Sequence, residues 1–192
     1  LLNQGRDFAS TPVQLQGREG SAAGTLTASI SALPALRNAL AASGSSATGG
    51  AAAAVTVEIG SLQLAPAMRT DPEISDVWVE VDLVDIGEKA ALTTQRMRKS
   101  ASMDFRYTHS VSVSPGSAEQ STLRKVMQSA DEQESDVYFE LKTSGRSGKG
   151  DTQIGQGFLN LKQLLNQGRD FASTPVQLQG RKGPAGTLKV SL

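Results

Sequence analysis

The 192-residue chain carries 19 Lys and Arg against 19 Asp and Glu, so no global field draws it to nucleic acid or to a bulk anionic membrane surface. With 38% hydrophobic and 20% charged residues, and no apolar run near the roughly 20 residues that span a bilayer, the composition suits a soluble globular fold. The absence of cysteine excludes disulfides, thiolate metal sites and cysteine nucleophiles and agrees with a reducing, cytoplasmic compartment, while the lone His109 cannot build a histidine-rich metal site.

The chain opens on Leu1 rather than Met, with neither the basic region nor the apolar core of a secretory signal, and is expected to be a fragment. Its first stretch, LLNQGRDFASTPVQLQGR at residues 1–18, returns without a difference at residues 164–181. The likeness continues as GREGSAAGTLTASI at 17–30 against GRKGPAGTLKVSL at 180–192, after one inserted Ala. A repeat of that period is a whole domain with its linker, not a solenoid unit, and implies a tandem array. Residues 1–30 are then expected to be the closing strands of a preceding repeat, residues 31–54 a connection, and residues 55–192 a complete domain. Strands at 11–16 and 24–30 cannot fold alone. They are expected to pair with a neighbouring chain or to compete with the matching C-terminal segment for its place in the sheet.

Leu33, Leu36 and Leu40 stand at helical spacing, with Pro34 tolerable in a first turn, and predict a short helix docked on the preceding domain. The Gly-, Ser- and Ala-rich run at 41–54 reads as a flexible linker. From Val55 the period changes to two. Val55, Val57 and Ile59 alternate with Thr56 and Glu58, and Val77, Val79, Val81 and Leu83 alternate with Trp78, Glu80 and Asp82. Further strands are predicted at 91–98, 103–113, 137–142, 157–161, 175–179 and 187–192. Eight strands separated by turn residues predict an all-β, antiparallel sandwich. One helix follows Ser117, an N-cap with Gln120 three residues on and an apolar face of Leu123, Val126 and Met127. Another is predicted over 161–167, stopped by Gly168.

Once the strands are placed, ISDVWVEV at 74–81 resembles the SDPYVKV strand of C2 domains, and DTQIGQGFLNL at 151–161 resembles their DxxIGxxxxxL strand. More narrowly, DVWVEVDL, ESDVYFEL at 134–141, NQGRD at 166–170 and GTLKVSL resemble the C2 domains of the retinitis pigmentosa GTPase regulator-interacting protein family, which are ciliary transition-zone scaffolds. The resemblance implies an eight-stranded C2-type sandwich, a ciliary or axonemal location, and other ciliary proteins and neighbouring repeats as partners.

Calcium-binding C2 domains gather about five carboxylates from two loops, because calcium takes six to eight oxygen ligands. Here Asp76 matches the aspartate of the SD pair, Asp71 lies in the first loop and Asp151 ends the second. The Asp-x-Asp expected after ESDVYFEL is replaced by Lys142, Thr143 and Ser144, and Arg146 and Lys149 add like charge. Asp71, Asp76 and Asp151 are therefore vestigial candidates, equally readable as turn-forming residues, and no metal or other cofactor is expected. Arg96, Arg98, Lys99 and Arg106 could hold a phosphoinositide headgroup, as the corresponding strands of lipid-binding C2 domains do, or could form a solvated strand edge. Trp78, on the polar side of its strand, is a candidate interface anchor if exposed and a packing residue if covered. With one His, no Cys and no nucleophile or phosphate-cradling motif, no catalytic residue is expected.

Overall fold

Alternation of buried and exposed residues at period two builds, among the described residues, eight strands linked in one ladder by antiparallel pairing. The computed structural model describes residues 21–41, 52–88, 91–145 and 150–180. The strands are β1 (Ser21–Ser31), β2 (Ala53–Leu64), β3 (Ile74–Asp82), β4 (Met97–Arg98), β5 (Ser102–Val113), β6 (Asp136–Gly145), β7 (Asp151–Asn160) and β8 (Phe171–Gly180). They are hydrogen-bonded in the order β4-β3-β6-β7-β8-β1-β2-β5. This is the eight-stranded antiparallel architecture that the alternation predicts.

The ladder is continuous but not uniform. β7 and β8 share a single register pair, Gln156 with Gln179, whereas their neighbours pair along most of their length. Here the sheet turns from one layer, β4-β3-β6-β7, into the other, β8-β1-β2-β5. Glycine permits the turn: a Cβ on Gly157 would stand 2.5 Å from the carbonyl oxygen of Gln177 and 2.6 Å from Val176 Cγ1. Between the layers, Val77, Val79, Phe139 and Leu141 are buried with Leu26, Ile30, Val57, Ile59 and Leu178. Non-directional burial of this kind supplies most of the favourable folding free energy.

β1 lies between β8 and β2 of the same chain and hydrogen-bonds to both. The strand predicted at 24–30 therefore forms part of this sheet, while the predicted strands at 11–16 and 187–192 lie outside the described residues. The strand predicted at 91–98 is reduced to Met97–Arg98 and an isolated bridge between Glu80 and Thr93. The cause is Thr94. Its hydroxyl accepts the Val79 N–H at 2.9 Å while its own N–H reaches the Val79 carbonyl at 2.9 Å, so a side chain takes one place in the ladder.

Among the described residues four α-helices close the ends: α1 (Leu33–Ala41), α2 (Pro66–Thr70), α3 (Ala118–Gln128) and α4 (Leu161–Gln167). α1 packs in this chain against α3, where Arg124 Nε donates to the Ala39 carbonyl at 2.8 Å and helps satisfy the open C-terminal carbonyls of α1. The start of α1 is capped from the repeated segment. Asp170 Oδ1 accepts the Ala32 and Leu33 N–H groups at 2.8 and 2.9 Å, and Oδ2 accepts the Ser31 hydroxyl at 2.9 Å. α3 has the predicted cap, in which Ser117 Oγ accepts the Gln120 N–H, but the return bond falls one residue earlier: Gln120 Oε1 accepts the Gly116 N–H, while the Ser117 N–H goes to the Ser114 carbonyl. α4 ends at Gly168, in the left-handed conformation at φ 67°. The predicted linker is shorter than read from composition, because Ala53 and Ala54 already pair with Val113 and Ser112.

Candidate interaction face

The sequence-derived candidates are sorted by strand order. β3 sends Val77, Val79 and Val81 into the core and leaves Trp78 and Glu80 on the outer side. Antiparallel register then sets Trp78 opposite Lys142 and Glu80 opposite Glu140 on β6. Lys142 Nζ bonds Glu80 Oε2 and lies 3.2 Å from Glu140 Oε2. Trp78 Nε1 donates to Glu80 Oε1 at 3.1 Å. On its other side the indole is roofed by Arg96, whose guanidinium carbon stands 3.9 Å from the ring centroid and whose Nη2 donates to Asp151 Oδ2 at 2.8 Å.

The result is one connected row, Asp151, Arg96, Trp78, Glu80, Lys142 and Glu140. The charges compensate nearly completely, with three carboxylates facing two cations. Burial alone would raise the Glu80 carboxyl, but the hydrogen bonds from Lys142 and Trp78, with the field of Arg96, hold it below its ordinary value. For Lys142 burial works downward, and the two glutamates outweigh it and raise the ammonium. Both groups are thereby fixed in their charged forms. Beside them on the outer face, Tyr138 and Phe158 lie with ring centroids 5.8 Å apart.

Trp78 is 1% exposed. The candidate anchor is thus covered, and its contribution to any outer surface passes through Arg96.

The four basic candidates do not form one cluster of free cations. Arg96 is engaged by Trp78 and Asp151, and Lys99 Nζ donates to the Asp71 carbonyl at 2.6 Å. Arg106 stands on β5, at the opposite end of the strand order from β4, and pairs with Asp104 at 2.8 Å. It occupies a bulge at φ 47°, where two residues of β5 oppose one of β2. Arg98 and Lys99 do share an open pocket with Pro72, Ile74, Ser75 and Asp76. Arg96 and Arg98, both within the strand predicted at 91–98, go separate ways because Arg96 precedes β4 and folds over the indole.

The carboxylate candidates are likewise dispersed. Asp71 Oδ1 accepts the Glu73 N–H at 2.9 Å and closes a turn, Asp151 holds Arg96, and Asp76 is set opposite Arg98. Among the described residues no three Asp, Glu or His side chains gather as a cation would require. Residues 146–149 of the second loop lie outside the described residues.

Sequence reasoning did not find the Glu80, Lys142, Glu140 ladder or the capping role of Asp170. Alternation could have placed Glu80 and Glu140 on outer faces, but their meeting depends on the β3–β6 register, which no local pattern carries.

Residues 51–192 match the family described as "Retinitis pigmentosa G-protein regulator interacting C-terminal". No curated protein sequence matches the chain. Among solved structures it is similar to one described as "Solution structure of the third C2 domain of KIAA1228 protein", at 17% identity and a TM-score of 0.47, over 89% of this chain and 98% of that one. It is also similar to one described as "CC2D1B coordinates ESRCT-III activity during the mitotic reformation of the nuclear envelope", at 16% identity and a TM-score of 0.45, over 69% of this chain. The chain spans 55% of that protein's length. With most of its length matched and eight antiparallel strands in the order described, the chain belongs to the retinitis pigmentosa G-protein regulator-interacting C-terminal family and is a C2 domain of it.

Proposed function

We propose that the chain is a non-catalytic, calcium-independent C2 module that binds protein partners in a ciliary or axonemal assembly, within a tandem array of similar domains. The observation that carries this reading is the compensated outer face of β3, β6 and β7. Cations already satisfied by Asp151, Glu80 and Glu140 offer little to a phosphate, whereas a mixed row of charges beside Tyr138 and Phe158 suits a polar protein surface of complementary pattern. Family membership supports the ciliary setting. The repeat of residues 1–18 at 164–181 supports an array, in which several weak contacts to one periodic partner raise avidity roughly 100-fold without new chemistry.

The competing reading is a peripheral membrane module that takes an anionic phosphoinositide headgroup through Arg96, Arg98, Lys99 and Arg106. It is favoured by one feature, the open pocket flanked by Arg98 and Lys99. Sedimentation with vesicles of phosphatidylcholine alone and with a phosphoinositide added, each with and without calcium, separates the two. The expected result is equal, low pelleting in all four conditions. Phosphoinositide-dependent pelleting that disappears in Arg98→Glu, Lys99→Glu would overturn the protein-binding reading.

A further inference from the structure

The outer face of β3, β6 and β7 has two ends. At one, a guanidinium is already seated: Arg96 lies over Trp78 and is held from the side by Asp151. The other end repeats the aromatic and anionic parts of that arrangement. Register sets Asp82 on β3 opposite Tyr138 on β6, and Tyr138 opposite Phe158 on β7, so a carboxylate and two rings form one row across three strands. Glu140 and Asp136 stand on either side of Tyr138 along β6, and the Tyr138 hydroxyl donates to Asp136 Oδ2 at 3.5 Å.

What this end lacks is the cation. Among the described residues the ion pairs engage Asp151, Asp104, Glu80 and Glu140, and none engages Asp82, Asp131, Glu132 or Asp136. Lys162, which reaches this end from α4, places its ammonium on the carbonyl oxygens of Ser129 and Asp131, at 2.7 and 3.3 Å. The uncompensated field is felt by Tyr138: burial pushes its hydroxyl upward from the ordinary value, and Asp136, Asp131 and Asp82 push it the same way. The two rings are only partly buried, 5.8 Å apart and inclined by 58°, so an open aromatic surface lies inside that field. Carboxylates alone draw any cation. The rings narrow the choice to a planar, weakly hydrated one that stacks, the guanidinium rather than the ammonium.

We propose that the Tyr138–Phe158 pair, with Asp82, is a docking site for an arginine side chain exposed on a protein partner. The inference rests on the protein-binding reading above and gives that partner a chemistry. Its arginine stacks on the rings and pairs with Asp82, in the part that Arg96 plays over Trp78 with Asp151. Trp78 is closed to a second guanidinium because Arg96 already covers it.

Amide chemical shifts of the full, isotope-labelled chain test this at neutral pH and low salt, with two blocked tripeptides as probes, acetyl-Gly-Arg-Gly-amide and acetyl-Gly-Lys-Gly-amide. The arginine peptide is expected to shift the amides of Asp82, Tyr138 and Phe158 saturably, to leave those of Trp78 and Lys142 in place, and to bind several-fold more tightly than the lysine peptide. Asp82→Asn and Phe158→Leu, which change side-chain volume little, should each weaken the arginine peptide about 3- to 10-fold. Shifts retained away from the substitution show that a variant is folded, and either variant alone carries the test. Equal affinity for the two peptides, an arginine affinity unaltered in a folded variant, or no shifts at the three residues would overturn the proposal. Vesicle sedimentation keeps this outcome apart from the broader one: low pelleting together with no arginine binding removes this site and leaves the protein-binding reading standing.

Discussion

Replacing Arg96 by Ala removes the roof of the indole and one half of the ion pair with Asp151. The two losses differ in kind, and the structure gives each a scale. Stacking of a guanidinium on an indole contributes about 0.5–1 kcal/mol where the cation is exposed and about 2 kcal/mol where it is desolvated. Arg96 is 54% exposed and its ring partner is buried, which sets the stacking contribution near 1 kcal/mol. The ion pair, with both partners about half exposed, adds only about 0.2–1 kcal/mol and is screened by salt. Arg96→Ala should therefore destabilise by about 1–2 kcal/mol and Asp151→Ala by about half a kcal/mol. The double variant should lose no more than Arg96→Ala, since Asp151 then has nothing left to hold. Trp78 is the single tryptophan, so urea unfolding followed by its emission measures the stability of the surrounding sheet. In the native state Arg96→Ala should shift that emission to longer wavelength and raise quenching by acrylamide, with little change in Asp151→Ala. Unaltered quenching in Arg96→Ala, or equal losses in the two single variants, would refute the assignment of Arg96 as the cover of Trp78.

Gly157→Ala places a methyl group against the Gln177 carbonyl and Val176 at the corner between layers, and should cost about 1–3 kcal/mol in a urea titration; a neutral change would show that the layers are not in contact there. Asp170→Ala leaves two backbone donors of α1 and the Ser31 hydroxyl without their acceptor and should cost about 1–2 kcal/mol at pH 7. Burial alone would raise the Asp170 carboxyl, but the Leu33 and Ala32 amides, Ser31 and the field of Arg37 more than reverse it, so its folded pKa is depressed. The stabilisation is then complete above the unfolded value of about 3.9 and is lost as pH falls through the folded one. The gap in urea midpoint between the parent chain and Asp170→Ala should accordingly be constant from pH 7 to about 5 and narrow as pH falls below the unfolded value of about 3.9; a gap that widens on acidification would reverse the sign assigned to this group.

The fold was legible wherever a segment carried its own period. β2, β3, β5 and β6 alternate strictly enough that each apolar set reaches the core, and α3 and α4 announce themselves through Ser117 and Gly168. Legibility failed where a single side chain replaced a backbone partner. Nothing in the run ALTTQRMR foretells that the Thr94 hydroxyl will take the Val79 N–H and confine β4 to two residues. α2 escaped notice for another reason: its five residues show too little of a helical period, although Pro66 at its first position is a start signal.

Less of the candidate site was legible, because charge in a strand has no meaning until its cross-strand partners are known. RMRK at 96–99 has four residues and three cations, and in isolation it reads equally as an anion site or as a solvated strand edge. In the sheet its members separate according to what each neighbour supplies. Arg96 finds an indole and a carboxylate, Lys99 finds the backbone oxygen that Asp71 exposes in its turn, and Arg98 faces an open pocket that Lys99 and Asp76 also line. The same logic applies to the carboxylates. Asp151, counted in sequence as a remnant of a calcium loop, serves as the counter-ion that lets Arg96 lie over Trp78. A cation and an anion that could each be half of a ligand site satisfy one another, and that compensation is the ground on which the proposed function prefers a partner bearing charges of both signs to one bearing phosphate alone.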